Sequence, residues 1–127
     1  MADRYIDNKN GTVTDTETNL MWQQGSSERM MWHEGFEYVD KLNGEKFAGY
    51  SDWRYPSKEE LSTLLQEEEN LKTRLYLHPI FRPTKWCWTS TQREHHMAVY
   101  VDFYYGGVYR MQEKYANYFV RAVRDAK

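Results

Sequence analysis

Apolar residues in the first third of the chain recur every three or four positions, as on one face of a helix. The stripe consists of Trp32, Phe36, Val39 and Leu42. This spacing predicts an amphipathic helix. Ser26 or Ser27 is expected to cap its start, and Asn43-Gly44 is a good stop signal. Gly35 lies inside this helix, where glycine costs about 1 kcal/mol relative to alanine, so close packing is expected there.

A second helix is predicted from a capping signal. Ser57 and Glu60 have the Ser-x-x-Glu spacing, in which each side chain satisfies a backbone N–H of the other residue. An apolar face follows, made of Leu61, Leu64 and Leu65. The helix is expected to end near the acidic residues 67–69 and Asn70.

Alternating, β-branched and aromatic segments predict strands at both ends of the chain. Near the start, segments 4–7, 12–15 and 19–23 are separated by polar turns, and Asn10-Gly11 is a strong hairpin signal. A long loop is expected over residues 71–85. The C-terminal third is typical of a β-meander, with strands over 86–90, 98–103, 108–111 and 118–124. Two helices and short strands in this order predict an α+β fold, as one domain over residues 1–127.

The composition argues against several classes of protein. The 17 basic and 19 acidic residues give a net charge of −2, which argues against a nucleic-acid partner. One cysteine excludes an internal disulfide framework. The chain has no apolar run of about 18 residues, so membrane insertion is not expected. No signal peptide is predicted after Met1, and the location of the protein stays open, as does a longer exported parent.

Short motifs occur in a characteristic order along nearly the whole chain. They are Asp7-Asn8, Asn10 to Asp15, Thr18 with Leu20 to Trp22, Gly49 to Arg54 with Pro56, Glu59 to Leu61, Trp88 to Thr91, Tyr100 to Phe103, Gly107-Val108 and Val120 to Arg124. In order and spacing they resemble the Lcl C-terminal domain family, named for the terminal domain of a Legionella collagen-like adhesin. The resemblance rests on the ordered set, since each motif alone is weak.

This resemblance implies a C-type-lectin-like fold, with small, mostly antiparallel sheets, two helices and long loops. Relatives are mostly exposed, non-catalytic binding domains. The adhesin version is trimeric and recognises sulfated glycosaminoglycans. Other relatives are bacterial or phage proteins diversified by retroelements, with the varied residues in the C-terminal third. The present chain lacks a collagen-like region and a basic excess, which argues against glycosaminoglycan binding here.

Aromatic residues make up 17% of the chain, with eleven tyrosines, and many of these fall in its last third. Tyrosine combines a stiff apolar ring with a hydrogen-bonding tip, which suits recognition surfaces. We therefore expect a binding face for a glycan or protein ligand on a cell or phage surface. Its predicted residues are Arg93, His95, His96, Tyr104, Tyr105, Tyr109, Arg110, Lys114, Tyr115 and Tyr118.

Two other functions are alternatives to ligand binding. The same aromatic face would serve as an interface in an oligomerising structural module, a trimer by family analogy. The C-type-lectin-like fold is shared at a distance with formylglycine-generating oxidases, but those enzymes use a pair of cysteines, whereas Cys87 is alone and expected to be buried. No enzyme activity and no cofactor are predicted.

No metal site is predicted either. The turn that starts at Asp7 lacks the acidic spacing of a calcium loop, and a plain hairpin turn is favoured there. Adjacent His95 and His96 point in opposite directions on a strand, so a metal would need a further ligand such as Glu94 or His78.

Several charged and aromatic residues are given structural roles. Arg54 and Arg121 are expected to lock loops through forked bonds to Asp102, Asp52 or backbone carbonyls. The core is predicted to contain Trp22, Trp53 and Trp88.

Overall fold

Seven short strands, two α-helices and one 3₁₀ turn make up the regular structure of the described residues. The computed structural model describes residues 3–106 and 109–126. The strands are β1 (Tyr5–Asp7), β2 (Thr12–Asp15), β3 (Leu20–Gln23), β4 (Trp86–Arg93), β5 (Met97–Asp102), β6 (Tyr109–Glu113) and β7 (Val123–Asp125). The helices are α1 (Trp32–Gly44) and α2 (Lys58–Ser62), and the 3₁₀ turn is Phe47–Gly49. None of the helices described has the length and apolarity needed to cross a bilayer.

The strands form two antiparallel sheets, in the orders β1-β2-β3-β7 and β4-β5-β6. Two small sheets with two helices confirm the predicted α+β class. The last strand is shorter than predicted and pairs with β3 in the first sheet. Tyr118 and Phe119 instead make single bridges to Met30 and Cys87. The C-terminal segment thus runs from one sheet to the other.

Helix α1 starts later than its serines suggested. Its N-cap is Met31, whose backbone N–H donates to the Glu34 carboxylate at 2.8 Å. The Ser27 hydroxyl accepts a hydrogen bond from the Val120 N–H at 2.9 Å, so it anchors the C-terminal segment and does not cap the helix. The predicted serine cap is therefore wrong. Phe36 also departs from the buried stripe, since it is 43% exposed at the edge of the core.

Helix α2 begins with the predicted capping box. The Glu60 N–H donates to Ser57 Oγ at 3.1 Å, and the Ser57 N–H donates to Glu60 Oε1 at 3.0 Å. The helix ends at Ser62, well before residue 70, which corrects the predicted length. Beyond it, the Gln66 N–H donates to the Tyr76 carbonyl, a partner outside any helix. This loop pairing replaces the helical bonds that a longer α2 would need.

Both sheets bury side chains on both faces, because two hydrophobic clusters flank them. Met21 and Trp22 are neighbours on β3 and point into different clusters. Cys87 and Trp88 do the same on β4. Trp22, Trp53 and Trp88 are all buried, which confirms the predicted tryptophan core.

Arg121 is a fully buried cation held by backbone carbonyls, one of the arrangements predicted for it. Its Nη1 donates to the carbonyl oxygens of Gln23, Gln24 and Gly25, and its Nη2 donates to that of Arg82 at 2.8 Å. Burial lowers the pKa of the guanidinium from its usual value.

Arg54, the other arginine predicted to lock loops, binds partners that differ from those predicted. Arg54 pairs with Glu60 and Asp125, while Asp52 is held by Arg124. These pairs join the loop before α2 to the C-terminal strand.

Replacing Arg121 with lysine is expected to lower the free energy of unfolding by about 2–4 kcal/mol. A lysine ammonium reaches fewer of the four carbonyls and leaves the others buried without a donor. Urea unfolding measures the loss, with the exposed Arg93→Lys as the matched control. Equal stability of the two variants would contradict this assignment.

Gly35→Ala is expected to destabilise the domain by about 1–3 kcal/mol, although alanine is the better helix former. An added Cβ would lie 2.7 Å from three atoms of the buried Tyr55 side chain. Gly44→Ala is the control, because its Cβ would meet no atom within 4 Å. Thermal unfolding should show a lower melting temperature for Gly35→Ala but not for Gly44→Ala. A melting temperature of Gly35→Ala equal to that of the wild type would contradict the close packing of Gly35 on Tyr55.

Candidate functional site

The sheet β4-β5-β6 separates the described members of the predicted binding face into two groups. The β4–β5 turn, residues 94–96, lies at one end, and residues 103–106 lie at the other. Strand β5 runs between them from Met97 to Asp102, which at about 3.3 Å per residue places the ends roughly 17 Å apart. We call them the hairpin end (residues 93–96 and 114–115) and the tyrosine end (residues 103–106 with Lys85 and Trp86).

The tyrosine end presents two adjacent aromatic rings in a fixed turn. The backbone N–H groups of Tyr104 and Tyr105 both donate to Asp102 Oδ1, at 2.9 and 3.0 Å. The Gly106 N–H donates to the Asp102 carbonyl, and Gly106 adopts a φ of 74°, which favours glycine. The two phenol rings meet edge to face, with their centroids 4.8 Å apart. Tyr104 is 41% exposed and Tyr105 is 65% exposed. The turn therefore holds these rings in place before any ligand arrives.

Lys85 joins these rings to the start of β4. Trp86 pairs with Asp102 in the sheet, and the Phe103 N–H donates to the Lys85 carbonyl at 2.7 Å. The Lys85 ammonium lies 5.0 Å from the Tyr104 ring centroid and 5.7 Å from that of Trp86. These distances are in the range of cation–π contacts.

Two cavities open near the tyrosine end. A trough of about 360 Å³ is lined by Glu69, Arg74, Tyr104 and Tyr105. Arg74 Nη2 lies 3.2 Å from Glu69 Oε1, so the trough carries an ion pair beside the phenols. A groove of about 480 Å³ has Lys85, Trp86 and Phe119 in its lining.

At the hairpin end, Arg93, His95, His96 and Tyr115 are all exposed. Lys114 is not, which corrects its predicted exposure. Its ammonium donates to Gln92 Oε1 at 2.7 Å and to the His95 carbonyl at 2.8 Å, and it lies 4.4 Å from the Trp32 ring centroid. Lys114 therefore clamps the β4–β5 turn onto α1 and is not available to a ligand.

Tyr118 is also less accessible than predicted. It is half-buried, and its ring packs against those of Trp88 and Tyr100. The centroid-to-centroid distances are 5.0 Å to Trp88 and 4.7 Å to Tyr100. Its hydroxyl accepts a hydrogen bond from Gln112. The bridge to Met30 draws this tyrosine into the second cluster, so its main role is packing.

Two predicted residues remain untested by the geometry. The side chains of Tyr109 and Arg110 on β6 lie outside the described part of the structure, as do Gly107 and Val108.

Cys87 is fully buried, as predicted, and its Sγ lies 3.2 Å from Thr84 Oγ1. Desolvation raises the pKa of this thiol, which keeps it protonated and unreactive. Within residues 3–106 and 109–126, His, Cys, Asp and Glu side chains form no group of three or more that could hold a metal ion.

Sequence reasoning missed Lys85 and Trp86 as members of the tyrosine end, and Glu69 and Arg74 as lining of its trough. The strand register contained a usable signal. An antiparallel pairing of β4 with β5 puts the start of β4 beside the end of β5, and hence Lys85 beside Tyr104. Glu69 and Arg74 come from the long loop, whose path no local pattern indicates.

Comparison with known proteins agrees with the motif order. A search of curated proteins finds no significant match to the chain. The profile of the Lcl C-terminal domain matches residues 11–124, from the β1–β2 turn to the middle of β7. Because this match covers most of the 127 residues, the chain belongs to the Lcl C-terminal domain family.

Proposed function

We propose that this protein is a non-catalytic, lectin-like binding domain whose tyrosine end recognises a glycan. The observation that carries the proposal is the exposed Tyr104–Tyr105 pair, fixed by Asp102 beside an ion-paired trough. An adhesin or a retroelement-diversified receptor would use the same surface. The C-type-lectin-like fold that the family resemblance implies stays a prediction.

The rings supply the apolar part of sugar recognition. A pyranose has an apolar face of C–H groups that packs on an aromatic ring, and two rings nearly perpendicular to each other form a corner for it. The rings are 72° apart in plane. Because the turn is already ordered, little conformational entropy is lost on binding.

The trough supplies the polar part. Sugar hydroxyls both donate and accept, so they need neighbours of both kinds. Glu69 offers acceptors, Arg74 offers donors, and the phenol hydroxyls can do either. This mixture in an open trough suits a neutral sugar better than an apolar ligand.

The residues considered for catalysis support a binding role. Cys87 is buried and protonated, and the carboxylate of Glu69 is tied to Arg74. A glycosidase needs two carboxyl groups at a fixed separation, whereas this carboxylate lies beside a cation.

One observation favours an oligomerising module as a second function. Met111 on β6 is 48% exposed, and within the described residues β6 pairs with β5 alone. Light scattering over a dilution series tests this function. A mass of 15.4 kDa at every concentration would exclude it, while a concentration-dependent trimer would support it.

Tyr104→Ala combined with Tyr105→Ala is expected to weaken glycan binding by roughly 30-fold or more, corresponding to about 2 kcal/mol. Both rings are exposed, so the fold should be retained. Wild-type protein on a glycan array identifies the probe, and titration with that glycan measures the loss. Tyr115→Ala is the matched control, because Tyr115 is equally exposed but lies at the hairpin end.

Three results would contradict the glycan proposal. The first is a wild-type domain that binds no glycan on the array. The second is an unchanged affinity of the double variant. The third is an equal loss in Tyr115→Ala, which would move the site to the other end of the sheet.

A further inference from the structure

The groove beside Lys85 differs in chemistry from the tyrosine trough. Its walls include the apolar surfaces of Leu75, Pro83, Trp86 and Phe119. Two cations, Arg29 and Lys85, stand at its rim, and both side chains are exposed. The groove thus combines an apolar interior with positive charge at its opening.

Among the described residues, neither of these two cations forms an ion pair with a carboxylate, so both are available to an anion in the groove. The arginines at positions 4, 54, 74 and 124 each form an ion pair with an aspartate or glutamate. Among the described residues, Arg29 and Lys85 form no such ion pair, and Lys85 contacts aromatic rings instead. In a chain of net charge −2, two unpaired cations beside one groove favour an anionic occupant.

The walls argue against a sugar as that occupant. Among the described residues of the lining, Thr73 supplies the one neutral hydroxyl, and this hydroxyl already accepts a hydrogen bond from the Leu75 N–H at 3.3 Å. A sugar carries a hydroxyl on most carbons, and burying these without partners costs free energy. An apolar body with a single anionic group meets both the walls and the rim.

We propose that this groove binds the C-terminal residue of a peptide. Its apolar side chain would pack between Trp86 and Phe119, and its carboxylate would lie between Arg29 and Lys85. A chain terminus carries both groups on one carbon, so both fall within the reach of a groove of about 480 Å³. The carboxylate of an Asp or Glu side chain, by contrast, has no second, larger apolar side chain on the same residue.

The groove is preformed, which lowers the cost of binding. The Phe119 N–H donates to the Trp86 carbonyl at 3.0 Å, and the Trp88 N–H donates to the Phe119 carbonyl at 2.8 Å. These bonds hold the two aromatic walls together. Arg121 also binds the carbonyl of Arg82, directly before Pro83, and so fixes a third wall. A rigid site loses less entropy when it is filled.

The test uses two forms of one peptide, acetyl-Gly-Gly-Leu with a free carboxylate and the same peptide as its C-terminal amide. We expect the acid to bind at least about 10-fold more tightly, because charge-assisted bonds to Arg29 and Lys85 require the carboxylate. During a titration followed by ¹H–¹⁵N NMR, the indole N–H resonance of Trp86 should shift. The indole N–H resonance of the buried Trp53 should keep its position.

Two variants test the cations. Arg29→Gln and Lys85→Gln should each reduce the affinity for the acid by about 10-fold and leave the amide unchanged. Arg93→Gln, an exposed arginine at the hairpin end, is the matched control and should bind the acid normally. Equal binding of acid and amide, absence of acid binding, or loss in Arg93→Gln would overturn the proposal.

This site does not depend on the glycan proposal, and the two can fail separately. Arg29 lies outside the trough, so Arg29→Gln should keep the glycan signal of the wild type. Tyr105 lies outside the groove, so Tyr105→Ala should keep peptide binding. A variant of either kind that loses both ligands would show that the groove is not a separate site.

Discussion

The buried guanidinium of Arg121 is the interaction on which the arrangement of the other segments depends. It bonds to carbonyls of residues 23–25, at the end of β3 and directly after it, and of Arg82, which precedes β4. A buried cation is costly, and only several well-placed oxygens offset that cost. The two loops must therefore bring their carbonyls to one point. This requirement fixes β3 and β4, one strand from each sheet, relative to the C-terminal segment.

The two-sided core determines where a ligand can bind. Neighbouring residues on β3 and β4 point into different clusters, so both sheets bury side chains on both faces at these strands. Recognition is then left to the ends of the sheets and the loops, where rings such as Tyr104 and Tyr105 reach solvent. The high aromatic content follows from both demands, because the rings fill two clusters and also line the tyrosine end.

Local signals in the sequence predicted local structure well. The Ser57–Glu60 capping box and the close packing at Gly35 depend on residues a few positions apart or on backbone space. Predictions failed where a distant partner decided the outcome. Lys114 looked like a solvent-exposed cation, but Gln92 and the His95 carbonyl, 22 and 19 positions away, bury it. The binding face split into two ends for the same reason, since strand length separates residues that lie close in the sequence.

Lys85 links the two proposed sites, because it lines the groove and also contacts the Tyr104 ring of the trough. Its ammonium contacts the Tyr104 ring on the trough side and the Trp86 ring on the groove side. At an exposed ammonium, a cation–π contact and an ion pair each contribute up to about 1 kcal/mol. A carboxylate in the groove would therefore compete with the Tyr104 ring for the ammonium on similar terms. Whenever the Lys85 ammonium turns to the carboxylate, more of the Tyr104 ring surface becomes accessible in the trough. The flexible Lys85 side chain would in this way link occupancy of the groove to the shape of the trough.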